Sequence, residues 1–228
     1  MTEKKPWDKP EPITVMPNGS ILEIYACVGA ALSRWALVEG MLLEIFCHLL
    51  YAKDQDSWYT ASKIFGHLTS TSTRLEQMRV AGDAHFIKKP AHKDFLKANL
   101  NLVSNFLPRR NDIAHGVAVD YSTQDGVARQ NGAALQTPHF NSKDFDPAVN
   151  KPGYKYNIDL LRDYEQSFLL LGLELMSTVK ILFWDDQHAL SAIANWTPLS
   201  QHLLPAKDNL KSLLSSPSNL TFPGKSPA

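Results

Sequence analysis

Cysteine is almost absent from these 228 residues: only Cys27 and Cys47 occur. Both lie in one apolar stretch of helical period. Twenty residues of helix would hold them ~30 Å apart, at ~1.5 Å of rise per residue. That separation excludes a disulfide between them and predicts two buried free thiols in a reducing compartment. There is no CxxC pair and no HExxH, and His48, His67, His85 and His92 fall at no metal-ligand spacing. No metal and no cofactor is therefore expected. A Walker loop, GxGxxG and GxSxG are all missing, which removes P-loop, dinucleotide-binding and α/β-hydrolase chemistry from consideration. Excess charge is missing too, since 23 Lys and Arg balance 23 Asp and Glu. A uniformly basic nucleic-acid coat protein is excluded on that ground, although a local basic site is not.

Uninterrupted apolar runs are also lacking. The two most apolar stretches, near 24–51 and 168–184, both carry Glu and a basic residue, so neither is expected to span a membrane. The first 19 residues are charged and proline-rich, with no apolar core of the kind a secretory signal needs. A cytoplasmic protein is the resulting expectation.

What the chain does have is helical periodicity. Ser20 and Glu23 form a capping box, after which Ile24, Val28, Ala31, Trp35, Val38, Leu42, Ile45 and Leu49 recur at helical spacing. This predicts a first helix over 20–52. Shorter helices are expected over 57–68 and from Thr73, capped with Glu76, to Ile87. Pro90 suits a helix start, and Phe95, Leu96, Leu100, Val103 and Phe106 continue that helix toward Pro108. A proline there predicts a kink or a break before 109–115. Asn157 caps a last long helix over 158–187. Trp58, Trp184 and Trp196 are expected to pack in the core.

The stretch 119–156 is rich in Gly, Pro, Asn, Asp and Ser and contains the turn dipeptides Asp125-Gly126 and Asn131-Gly132. It reads as an insertion with a small hairpin, whose short strands are Val117–Tyr121, Ala133–Thr137 and Tyr154–Tyr156. The expected organisation is an extended lead-in (1–19), an all-α bundle of four to five helices (20–187) with the insertion before its last long helix, and a polar tail (188–228). A weak helix near 199–214 and disorder over 215–228 are expected in that tail.

The chemistry concentrates in Arg109-Arg110-Asn111-Asp112-Ile113-Ala114-His115-Gly116. Asn111 and His115 are four apart and share a helix face. Arg110 lies roughly 140° from His115 on an ideal helix, at ~100° per residue. An imidazole can move a proton to or from a ribose hydroxyl or a leaving oxygen near neutral pH. A guanidinium can grip two non-bridging phosphate oxygens, and an amide can orient either group. A second acid or base is not in view, so one His115 does both jobs or a second copy contributes.

Two further features support this segment. Glu39 falls in the apolar stripe around Trp35, where a carboxylate needs a partner, and Arg110 or Arg109 is the expected one. Lys88, Lys89, Lys93 and Lys97 precede the motif. From 57 to 118 nine Lys and Arg face four Asp and Glu, a local +5 that suits a polyanion such as RNA.

Arg, a polar residue, three further positions and then His resembles the Arg-x4-His motif of HEPN-domain proteins, in which Asn typically follows the Arg. Arg110, Asn111 and His115 match it. A long first helix, a motif near the end of a later helix and a final long helix also resemble that family over about 20–187. The resemblance implies a HEPN-like helical bundle and a metal-independent ribonuclease. It implies a homodimer that brings two motifs together and cleavage through the ribose 2′-hydroxyl. Many members are toxins or anti-phage effectors, so an antitoxin partner is among the implications. The same residues also allow a non-catalytic helical module that binds a protein or a nucleotide. There Arg110 pairs with a core carboxylate and His115 caps its helix.

Overall fold

A computed structural model describes residues 5–8, 17–121, 132–137, 155–184 and 189–196. The expected tail helix, the end of the tail, most of the lead-in, and residues 122–131 and 138–154 of the expected insertion lie outside these residues. Among them the elements run α1 (Ile21–Leu49), α2 (Gln55–His67), α3 (Thr71–His85), α4 (Pro90–His115), β1 (Val117–Asp120), β2 (Ala133–Gln136), β3 (Lys155–Tyr156), α5 (Ile158–Val179), a π-helical turn (Lys180–Trp184) and α6 (Ala189–Ala194). The fold is mainly helical.

The helix starts follow local hydrogen-bond chemistry. Ser20 Oγ accepts the Glu23 amide at 3.3 Å while Glu23 Oε2 accepts the Ser20 amide at 2.7 Å. Asp54 and Ser57 make a second reciprocal box, so α2 begins at Gln55 and not at residue 57. α3 begins at Thr71 because Ser70, not Thr73, is the cap: its hydroxyl accepts the Thr73 amide at 3.1 Å. Glu76, expected in a capping box, instead meets Arg79 one turn on.

α1 and α5 make the most extensive contact in the molecule. Trp35, 1% exposed, meets Phe168 edge-on at 5.0 Å. Phe168 in turn meets Phe106 of α4, against which Trp7 packs at 5.5 Å. Phe65 joins α2 to Phe46 of α1. Trp196 packs edge-on to Phe95, and Trp58 edge-on to His48. By length and composition alone, Ile21–Leu49 and Ile158–Phe183 could each cross a membrane; in this fold they are the central pair of the core.

α4 does not break at Pro108. The helix runs unbroken from Pro90 to His115. Proline removes one bond to the carbonyl four residues earlier, which belongs to Ser104. Both Ser104 and Pro108 are exposed, so water can satisfy that carbonyl and the turn survives.

The expected hairpin is part of a three-stranded antiparallel sheet of order β1-β2-β3, with Val117 opposite Gln136 and Leu135 opposite Tyr156. It is not a surface excursion. Ala134, Leu135 and Tyr156 are fully buried. The lead-in joins it: Asn18 donates its amide to Ala133 O at 3.2 Å, and its side chain bonds Asp159 and the Ile158 amide at the start of α5. Gly132 permits this approach, since a Cβ there would lie 2.8 Å from Asn18 Cα.

Of the two thiols only Cys47 is buried; Cys27 is half-buried. Burial, reinforced by the Glu44 carboxylate, pushes the Cys47 thiol up to about 11. An alkylating reagent at pH 8 should label Cys27 in the native protein and both residues after denaturation, counted by intact mass. Leu135→Ala should lower stability by about 2–5 kcal/mol in urea unfolding, the range for truncating a buried leucine. Val117→Ala on the exposed face of β1 should change it by less than about 0.5 kcal/mol.

Candidate functional site

Adjacent arginines take opposite roles because α4 continues as a regular helix. Arg109 faces inward and is 5% exposed. Its Nη1 lies 3.3 Å from Asp112 Oδ2, one turn on, and 3.5 Å from the Tyr156 hydroxyl of β3. Tyr156 donates to the same Asp112 oxygen at 2.9 Å. This trio, in which Arg109 and Tyr156 are buried and Asp112 is partly exposed, ties the end of α4 to the sheet. Tyr164 lies beside it, its phenol pushed up by burial against the opposing charge of Arg109, and its hydroxyl donates to Asp8 O. Arg109, one of the two partners expected for Glu39, pairs with Asp112 and Tyr156 instead.

Arg110 faces the surface between α4 and α1. Nη1 donates to Asn111 Oδ1 at 3.2 Å, and Nη2 lies 3.9 Å from Glu39 Oε1. Glu39 Oε1 also accepts the Trp35 indole N–H at 3.1 Å, one turn away on α1. Its other oxygen lies 3.9 Å from Arg74 Nη1 of α3. Arg74 is itself held, donating from Nε to Leu68 O at 3.1 Å and lying over the Phe65 ring. The Glu39 side chain is 32% exposed, and those of Arg110 and Arg74 are 28% and 20% exposed. Glu39 is therefore no carboxylate sealed in the core. It sits half in solvent between two guanidinium groups from different helices. Long, partly hydrated pairs of this kind contribute at most about 1 kcal/mol each, so an incoming anion can displace the carboxylate. A pairing of Glu39 with Arg110 or Arg109 was legible in the sequence; which of the two, and the part of Arg74, were not, since only tertiary packing brings α3 and α4 there.

His115 is the last residue of α4 and is exposed, as is Asn111 on the same face. With the helix unbroken, five residues leave Arg110 about 140° round from His115, with the Asn111 amide beside the guanidinium. Gly116 follows because there is no room for a side chain: a Cβ would meet Leu135 Cγ at 2.6 Å and Gln136 O at 2.9 Å. Close by, the Tyr25 hydroxyl accepts the Ala118 amide at 3.4 Å. Leu22, Tyr25 and Val117 are all exposed, which leaves apolar surface next to the end of α4.

The lysine cluster does not surround the motif. Lys93 and Lys97 both bind Asp83 of α3, at 3.3 and 3.1 Å, and hold its carboxyl below the usual range. Lys88 and Lys89 precede the first turn of α4. Along that helix Lys97 lies ~20 Å and Lys89 ~32 Å from Arg110, at ~1.5 Å per residue. Among the described residues no group of three or more His, Cys, Asp or Glu is placed to hold a metal ion.

Comparison with protein-family models, with curated proteins and with solved structures finds no match to this chain.

The two arginines should separate on mutation. Arg109→Ala leaves Asp112 without its buried partner and should cost about 3–5 kcal/mol in chemical denaturation. Arg110→Ala breaks only half-exposed contacts and should cost less than about 1 kcal/mol.

Proposed function

We propose that this chain is a metal-independent endoribonuclease of HEPN type that acts as a homodimer in the cytoplasm, as a toxin or phage-defence effector. The observation that carries the reading is the accessibility of the motif. Asn111 and His115 are exposed, and Arg110 reaches the surface with Asn111 bonded to it. The helical bundle with its motif at the end of α4 fits the HEPN-like architecture that the sequence resembles. In this reading the ribose 2′-oxygen attacks the adjacent phosphorus and the bond to the 5′-oxygen breaks. Products are a 2′,3′-cyclic phosphate and a 5′-hydroxyl. His115 moves the proton, Arg110 offsets charge on the phosphoryl oxygens, and Asn111 holds the guanidinium. Arg74 adds a second cation, with Glu39 as the resting counter-ion of both. Within one chain Arg110 and His115 diverge, which is the reason for a second copy. The exposed Leu22, Tyr25 and Val117 offer apolar surface for it beside His115.

The divergence of Arg110 from His115 also favours a second reading, a non-catalytic helical module that binds a protein or a nucleotide. Incubation with structured RNA in EDTA separates the two. The nuclease reading expects cleavage with cyclic-phosphate ends, and loss of at least about a hundredfold in His115→Ala with unchanged thermal stability. It also expects Val117→Glu to shift the protein from dimer to monomer in light scattering and to abolish cleavage. RNA left intact at high protein concentration overturns it.

A further inference from the structure

A cavity at the opposite end of α4 from the motif has no part in that reading. Its volume is about 450 Å³, within the range of small-ligand sites. It lies where the C-terminal ends of α1 and α3 meet the π-helical turn. Rings dominate its lining. His48 stacks on Phe183 at 4.9 Å, and Tyr51 stacks on His85 at 4.3 Å, with Phe86 edge-on to His85. Lys53 and Lys89 line the wall, and among the described residues no carboxylate does.

Two backbone irregularities build this wall. The first is at Tyr51, whose φ is +57°, the left-handed region that glycine normally occupies. Tyr51 N–H bonds His48 O and Ala52 N–H bonds Cys47 O, both at 3.0 Å. This is the Schellman closure of α1, with a tyrosine at the position where glycine is usual. The tyrosine is 62% exposed, so the core does not require its ring. The second is the π-helical turn, which delivers Phe183 to the cavity; such turns concentrate at functional sites. The last carbonyls of α1 are already engaged, Leu49 O by His85 Nδ1, and so do not repel an anion with free lone pairs. Burial lowers the affinity of His48 for a proton, against the pull of Glu44 and with the help of His85, which suits it to stack as a neutral ring.

We propose that this cavity binds a nucleoside monophosphate, its base against the Tyr51–His85 and His48–Phe183 rings and its phosphate at Lys53. Stacking tolerates any base, since each presents a π-face, so the site selects for a planar ring with a nearby anion more than for one base. The site is independent of the ribonuclease reading, because it shares no residue with the Arg110–His115 segment and lies on the order of 30 Å from it along α4.

Calorimetric titration of the full chain with AMP, CMP, adenosine and inorganic phosphate tests this. Saturable binding of both nucleotides is expected, at least about tenfold tighter than adenosine or phosphate alone. Tyr51→Gly is the decisive variant. Glycine accepts the backbone angle, so the melting temperature should hold or rise, while nucleotide affinity falls about tenfold with the lost stack. Lys53→Gln should weaken AMP and leave adenosine unchanged. The proposal is overturned if neither nucleotide binds, if phosphate alone binds as tightly, or if Tyr51→Gly, folded, binds AMP as well as the parent.

Discussion

The burial of α1 against α5, centred on Trp35 and Phe168, is the contact on which the remaining structure hangs. It sets the axis along which α4 lies, through Phe106, and the floor on which the sheet rests, through Tyr164 and Tyr156. It also turns one edge of the Trp35 indole toward Glu39, whose carboxylate then reaches the gap where α3 and α4 present Arg74 and Arg110. The candidate site is therefore an extension of the core, with the apolar face of α1 running directly into its polar rim.

A second constraint is the continuity of α4. Had Pro108 broken the helix, the segment 109–115 would have been free to fold its arginine and histidine together. An unbroken helix instead assigns each residue a fixed direction: Arg109 to the sheet, Arg110 to Glu39, Asn111 and His115 to solvent. One consequence is a site divided between a cation pair on one side and an imidazole on the other.

Local chemistry was legible wherever it depended on neighbours along the chain. The Ser20–Glu23 box, the Asn157 cap, the Pro90 start and the strands flanking the loops all appeared where residue type and spacing placed them. Misreadings arose where two signals competed. Thr73 with Glu76 resembled a cap, but Ser70 stood three residues earlier and closed the helix first. Pro108 allowed either a kink or a break, and the helix runs on through it, with Ser104 and Pro108 both exposed. α6, six residues in a polar stretch, carried too weak a period to be seen.

By itself the sequence determined the helical class, the long first and last helices, and a guanidinium, an amide and an imidazole within two turns of helix. Those depend on periodicity and on contacts a few residues apart, which the order of residues contains. Only the tertiary structure decided that the buried Arg109 meets Asp112 and Tyr156 while Arg110 meets Glu39, that Arg74 joins Glu39, and that Lys89 and Lys53 line a ring-walled cavity at the far end of α4. Apart from Arg109 with Asp112, these are meetings of residues tens of positions apart, and which of two adjacent arginines turns inward depends on what the neighbouring helices and strands leave open.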